Sequence, residues 1–291
     1  MKVDYPIVAG VITNWVDFEE ILRKCFVSDL QCDPTRIPVF LLVGNFVGQS
    51  DVLKLLDLLL GQFKVPLARV IREYEALIGA LNLKDALCVF LGDSGYEIVP
   101  VVDGSAWKHA MHRVPLGGQN ISAYLGTLLR EEGLGSFETR SERRALEDMK
   151  RLGEVAGPEE DLNANQEKLE YIQSDGTPLA IPKRTLKQCN EVLFKPELIG
   201  LESTLNLPEK MLDSLKRSPE KAQEEMAKHI VLCGGVGETP GFKERLLADL
   251  KSLHPKITFN LHPQDNNQHL LWQAASRLAA NNKLNWSIKR K

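Results

Sequence analysis

The stretch VLCGGVGETPGF at residues 231–242 decides how this chain is read. Ile230, Val231, Leu232 and Cys233 form the end of a short buried strand, extended by His229 on its polar side. Gly234 and Gly235 lack Cβ atoms, so the chain turns sharply there and its backbone can lie against a flat ligand. Pro240 suits the first turn of a helix, and Phe242, Leu246, Leu247 and Leu250 then recur at helical spacing. Strand, glycine turn and helix together offer backbone N–H groups and a helix N-terminus to a nucleotide. The same pattern also serves as a plain tight turn in any α/β domain.

Upstream, buried strands alternate with helices. Asp17 and Glu20 have the spacing of a helix-opening capping box, followed by an apolar stripe at Ile21, Leu22 and Cys25. The run Pro38 to Val43 is nearly all apolar, as in a parallel strand covered on both faces. A leucine-rich helix is expected from Asp51 to Leu60, its leucines packed, then a short strand from Ala68 to Ile71 and a helix from Glu75 to Leu81. Ala86 to Leu91 is a second buried strand. Glu97 to Val102 returns from it, Asp103-Gly104 turns, and Ala106 to Arg113 forms a third strand. Helices follow at Ile121–Leu129 and Ser141–Leu152, then an acidic exposed loop at 153–165 and a turn at Asp175-Gly176. Helices at Leu186–Phe194 and Leu207–Leu215, a strand at Ile257–Leu261 and a helix at Leu270–Ala280 complete the pattern. This order predicts an α/β chain with two lobes.

The composition narrows the classes. With 291 residues, 43% hydrophobic and 26% charged, the chain has enough apolar material for one large domain or two coupled ones. Its 36 basic and 39 acidic residues give a net charge of -3, which suggests neither a nucleic acid nor an anionic membrane as partner. The terminal Lys289, Arg290 and Lys291 suit a solvated tail. Five cysteines, an odd number with no CxxC pair, suit a reducing compartment and buried free thiols. No run reaches the length of a membrane span. The apolar N-terminus carries Asp4 and Pro6 and suits a first strand and turn better than a secretory signal.

A second stretch, FLGDSGYEIV at 90–99, puts Asp93 just past a buried strand. Ligands of doubly wound sheets bind at the carboxyl ends of strands. Asp93 can hold a hydrated Mg²⁺ while the N–H groups of Ser94 and Gly95 face phosphate. The alternative is an aspartate capping a hairpin turn. His109 and His112, beside Trp107, would point to opposite faces of a strand, which argues against a metal site.

These stretches together resemble the actin family. Tyr5-Pro6-Ile7 and Gly10-Val11-Ile12-Thr13-Asn14-Trp15 are similar to actin's YPI…GIVTNW. Asp93-Ser94-Gly95, with VPVVDG at 99–104 and PLGG at 115–118, resembles actin's second phosphate loop and its sequel. Cys189, Glu191, Leu193-Phe194, Pro196, Gly200, Glu202 and Ser203 follow the CPEALFQPSFLGMES pattern, and LCGGVGETPGFKERL at 232–246 resembles LSGGTTMYPGIADRM. Trp272 and Trp286 fall where the family has two C-terminal tryptophans. The resemblance runs through nearly the whole chain and implies an actin-like two-lobed α/β fold. It implies a first lobe from 1–84 and 270–291, a second from 85–118 and 203–269, and an insertion at 119–202. It also implies ATP or ADP with Mg²⁺ in a cleft. Gly234 and Gly235 would lie beside the nucleotide, Lys150 beside its sugar and base, and Asp93 would hold the metal through water.

Departures from the pattern carry equal weight. The family's N-terminal phosphate loop and the small subdomain after it have no counterpart in this sequence, unless they lie upstream of it. The second phosphate loop is about three residues shorter and lacks the water-orienting histidine; the partner glutamine aligns with Glu75. A family arginine and glutamate near the base become Glu147 and Arg151, and a family lysine becomes Gln268. Each charge-assisted hydrogen bond is worth about 1.5–3 kcal/mol. Losing several predicts weak or no ATP binding, no required cofactor, no catalytic residues and no significant ATPase. An open sheet edge, with apolar residues around Val39, Leu41 and Ala68–Ile71, predicts cover by another protein. The turn KPELIGLE at 195–202 matches a family loop that contacts neighbouring subunits; Leu198, Ile199 and Leu201 are either partner-facing or core. The expected role is a non-polymerising structural subunit in the cytoplasmic cytoskeleton, axonemal or dynactin-like. Its partners would be other protein subunits of a cytoskeletal or motor complex, actin or another actin-related protein among them. The alternatives are a nuclear chromatin-remodelling subunit and an ATP-dependent switch.

Overall fold

The structure, a computed structural model, describes residues 5–8, 10–161, 167–263 and 267–280, with the backbone of 288 and 289. Trp286 and the side chains of the basic tail lie outside the described residues, as does part of the acidic 153–165 loop. The chain divides into two compact units, Met1–Leu83 with Leu270–Lys291, and Lys84–His269.

The first unit opens with a small antiparallel hairpin, β1 (Ile7–Val8) and β2 (Val11–Ile12). Helix α1 (Trp15–Lys24) is capped by Asn14, whose Oδ1 accepts the Val16 and Asp17 N–H groups at 3.1 and 3.2 Å. Asn14 Nδ2 donates back to Asp17 Oδ2 at 2.7 Å. The reciprocal pair is therefore Asn14 and Asp17, three residues before the expected Asp17 and Glu20, because asparagine satisfies the first helical donors well. Of the expected stripe, Ile21 is exposed, and Phe18 and Phe26 are buried instead.

Strand β3 (Val39–Val43) pairs in parallel with β4 (Leu67–Arg72), from Val39↔Ala68 to Val43↔Arg72. Between them runs α2 (Gln49–Asp57), continued by a wider turn over Leu58–Gln62. Leu55, Leu56 and Leu59 enter the core, but Leu53 is exposed, so not all of these leucines pack. Helix α3 (Glu73–Leu81) packs on the helix Leu270–Ala280, and the strand Ile288–Lys289 pairs with the far side of β4. Among the described residues β3 therefore has a strand partner on one side only. Val39 and Leu41, expected at a partner interface, are half-buried against the unit's own core of Phe18, Leu55, Leu59 and Phe63. Ala68 and Ile71, expected on an uncovered face, are buried.

The second unit is built on β5 (Ala86–Leu91), all six of whose residues are buried. Strand β6 (Tyr96–Val102) returns antiparallel to it, with Leu91 opposite Tyr96 across the four residues 92–95. Asp103 and Gly104, at φ 49° and 76°, form a two-residue turn of the hand that hairpins favour. The single strand expected from Ala106 to Arg113 is broken. It appears as β7 (Ser105–Ala106), a turn at Lys108–Ala110 and β8 (His112–Val114), both strands pairing with β6.

Next come α4 (Gly118–Glu131) and α5 (Arg140–Lys150), the latter opened by a Thr139–Glu142 capping box. Strands β9 (Lys168–Ile172) and β10 (Pro178–Pro182) flank the Asp175-Gly176 turn. Helix α6 (Lys183–Gln188) tightens into a turn at Cys189–Leu193, so the one helix expected over 186–194 is split. Helices α7 (Leu207–Lys216) and α8 (Glu220–Lys228) pack on β5 or β6. Strand β11 (Ile230–Cys233) lies parallel to β5, giving the order β11-β5-β6-β7, with α9 (Phe242–Leu253) following. The strand expected over Ile257–Leu261 reduces to one bridge, Leu261 to Ile230. The start of the acidic loop is not exposed either: Gly153, Val155 and Ala156 are buried.

Candidate functional site

Parallel pairing of β5 with β11 sets Phe90 beside Cys233, so both strands end at the same level. Gly92-Asp93 and Gly234-Gly235 therefore leave the sheet side by side. They line a cavity of about 430 Å³ with Gly118, Lys150, Arg151, Asn190, Glu238, Thr239 and Gln268. Every lining residue belongs to the second unit.

The two glycines do different work. Gly234 has φ 112°, and a Cβ there would sit 2.2 Å from the Leu91 carbonyl oxygen. It is needed by the fold, where β11 turns across the end of β5. A Cβ on Gly235 would meet nothing closer than Gln268 at 3.9 Å, so this backbone is bare toward the cavity. A turn at Gly235–Glu238 follows, held by Gly237 N–H to Gly234 O at 3.2 Å. The first N–H groups of a helical turn have no partner within it, so Gly235 and Val236 are the donors this wall can offer. Pro240, expected in the first turn of the helix, precedes it: Gly241, at φ 78°, is the N-cap of α9.

Lys150, at the end of α5, donates to Gly118 O at 2.9 Å and lies 3.6 Å from Asp93 Oδ1. Its side chain is largely buried, whereas Asp93 is mostly exposed. Asn190 comes from the Cys189–Leu193 turn; it is buried, with Nδ2 donating to Leu186 O at 3.0 Å. On the facing wall Glu238 Oε1 accepts the Gln268 N–H at 3.0 Å. The rim thus mixes two cations, two carboxylates and two amides, a set suited to a polar ligand with hydroxyl or ring-nitrogen groups.

The Gly92–Gly95 turn is closed on itself. Gly92 N–H donates to Gly95 O at 3.0 Å. The first two N–H groups of α4, on Gly118 and Gln119, donate to Gly92 O and Asp93 O at 3.1 and 2.9 Å. A helix start binds anions through such donors, and here the turn's own carbonyls occupy them. Asn120 Oδ1 accepts the Gly117 N–H at 2.9 Å and completes the cap. Gly95 is pressed against the Val114–Pro115 backbone, where a Cβ would fall 2.3 Å from Val114 O. Ser94 and Gly95 do not line the cavity; of the sequence-derived set, Asp93, Lys150, Gly234 and Gly235 do.

Three polar lining residues, Asn190, Glu238 and Thr239, are not marked by any sequence motif. An asparagine inside the buried run CNEVLF was the one available signal. Arg151 and Gln268, noted above as departures from the family pattern, also line the cavity. In the 195–202 turn Ile199 and Leu201 pack against the core, and Leu198 is exposed. No group of three metal-ligating side chains occurs among the described residues, and no described helix is long and apolar enough to cross a membrane.

Compared with known protein families, the chain matches Actin over residues 1–288. It belongs to the actin family, and its helices and mixed sheets are an actin-like α/β fold.

Proposed function

We propose that this chain is a non-polymerising, actin-related structural subunit of a larger cytoskeletal or motile assembly, axonemal or dynactin-like. The observation that supports this most is the closed Gly92–Gly95 turn. Its carbonyls take up the N–H groups at the start of α4, so donors suited to a nucleotide's phosphates are spent within the protein. A triphosphate left without several charge-assisted bonds loses about tenfold in affinity per 1.4 kcal/mol. ATP or ADP with Mg²⁺ would then bind weakly or not at all, and hydrolysis would be negligible. The protein's working surfaces are its contacts with other protein subunits, actin or actin-related chains among them, in the cytoplasmic cytoskeleton.

The cavity itself favours a second reading, an ATP-dependent switch. Lys150 and the bare Gly235 wall can still take a sugar and base, with Asp93 reaching a metal through water. Native purification, with the mass of the co-purifying set and acid extraction of bound nucleotide, separates the two. A fixed stoichiometric set of cytoskeletal or motor subunits without nucleotide supports the structural role. A free monomer carrying ATP and releasing phosphate at an actin-like rate overturns it.

A further inference from the structure

Away from the cavity, a cationic surface with an aromatic centre lies where the end of α7 meets the loop between β7 and β8. Trp107 is 39% exposed, an unusual condition for a large ring, and packs edge-on against His109 with centroids 6.4 Å apart. Its indole N–H donates to the Arg217 carbonyl at 3.3 Å, which fixes the ring at the C-terminal end of α7. Lys210, Asp213 and Arg217 follow at the three- and four-residue spacing that shares one helix face. Asp213 is the only acid on that stripe, and it is shared. His112 Nε2 lies 2.9 Å from its Oδ2 and Arg217 Nη1 lies 3.5 Å from the same oxygen. Lys210 and Arg217 both bear electrostatically on His112. Lys210 and the neighbouring Lys108 and Lys216 make no ion pair among the described residues. One carboxylate thus faces more positive charge than it can neutralise, around an exposed indole.

We propose that this face docks an acidic linear segment of a partner protein. Carboxylates of the segment would pair with Lys210 and with the guanidinium nitrogens of Arg217 turned away from Asp213, and an apolar side chain would lie on the Trp107 ring. Exposed tryptophan and arginine are the residue types that carry most binding energy at protein interfaces. The overall charge of -3 leaves this patch as a local reversal of sign, which favours a specific acidic partner over a general polyanion.

The test uses the full chain and a fluorescein-labelled 14-residue peptide of glutamate and aspartate with two central leucines, read by anisotropy at low and physiological salt. Its controls are the same peptide with glutamine and asparagine in place of the acids, and a single-stranded oligonucleotide. Saturable binding to the acidic peptide is expected, weakened by salt and lost in the neutral peptide. Lys210→Gln with Arg217→Gln should weaken it about tenfold or more, and Trp107→Phe should preserve it better than Trp107→Ala. Melting curves identify any variant that fails to fold, and the glutamine pair, on the surface, keeps the test open if Trp107→Ala does. No binding, binding indifferent to the glutamine pair, or equal binding of the oligonucleotide would overturn the proposal.

Discussion

Arg245 Nη1 lies 3.0 Å from Glu191 Oε1, with both side chains at most 6% exposed. Arg245 Nε also holds Asp249 at 2.9 Å, Nη1 donates to Ala156 O at 3.0 Å, and the guanidinium stacks 4.8 Å from the Phe194 ring centre. One side chain therefore joins α9, the Cys189–Leu193 turn and the 155–157 segment. That segment in turn steadies the cavity wall, because Val155 N–H donates to Pro240 O at 2.7 Å.

Removing one partner of such a pair strands the other in a dry interior, at about 3–5 kcal/mol. Arg245→Met is expected to cost that much in urea denaturation. Adding Glu191→Met to it should restore a large part, since two apolar side chains need no hydrogen bonds. Glu191 keeps one other cation, Lys195 Nζ at 3.3 Å from Oε2, on a side chain that is 51% exposed; a cost below about 1 kcal/mol for the single variant would mean that Lys195 or water satisfies Glu191 without the guanidinium.

Lys187 bridges Glu154 and Glu160, the former at 2.7 Å, and fastens the loop below the 155–157 segment. Hydrogen bonds to Glu154 and Glu160 raise the Lys187 pKa. A hydrogen bond from Lys187 lowers that of Glu160. The signs give two limits. The Glu160 contribution is present above the ordinary glutamate value of 4.5 and is lost as pH falls through the depressed value. The Lys187 contribution is present below 10.5 and is lost as pH rises through the elevated value. Protection factors for amide exchange at 154–160, taken against the intrinsic rate at each pH, should be largest between these limits and smaller at both extremes. In Lys187→Met the pH dependence should flatten.

The cysteines divide by burial. Cys88, Cys189 and Cys233 are buried, and Cys25 and Cys32 are half-exposed. Burial pushes the Cys189 thiol up to about 12 and raises that of Cys88. The thiolate is the nucleophile, so iodoacetamide at pH 8 should label Cys25 and Cys32 in the native protein and the other three after unfolding. Rapid labelling of Cys88 or Cys189 in the folded state would contradict this packing.

Much of this was legible in the sequence. ALCVFL and IVLC are uninterrupted apolar runs with glycine just beyond them, so two buried strands and the turns at their ends could be placed from residues alone. Both sides of the cavity follow from that. The rest depends on residues far apart in the chain. Ser94 and Gly95 turn away because Val114, Pro115 and Gly117 crowd the loop and α4 draws its carbonyls inward. Asn190, Glu238 and Gln268 reach the cavity from separate elements, and no local spacing connects them. Helix α8 escaped because EKAQEEMAK is mostly charged and buries only Ala222, Met226 and Ala227.

The adjacent glycines allow structure and ligand to be separated by single substitutions. At Gly234 a methyl group would meet the Leu91 carbonyl at 2.2 Å, on a backbone with φ 112°. That combines left-handed strain with overpacking against backbone, each worth roughly 1–3 kcal/mol, so Gly234→Ala should lower the melting temperature sharply. At Gly235 the methyl group would enter open space 3.9 Å from Gln268, and Gly235→Ala should change stability by no more than about 0.5 kcal/mol. The same methyl group stands on the cavity wall and would block a flat ligand from the backbone. Titration with a fluorescent ATP analogue then decides what the cavity does. Weak binding abolished by Gly235→Ala, with folding intact, would place a nucleotide's base or sugar against this wall. Binding unchanged by Gly235→Ala would move any nucleotide elsewhere and leave the cavity a feature of the fold.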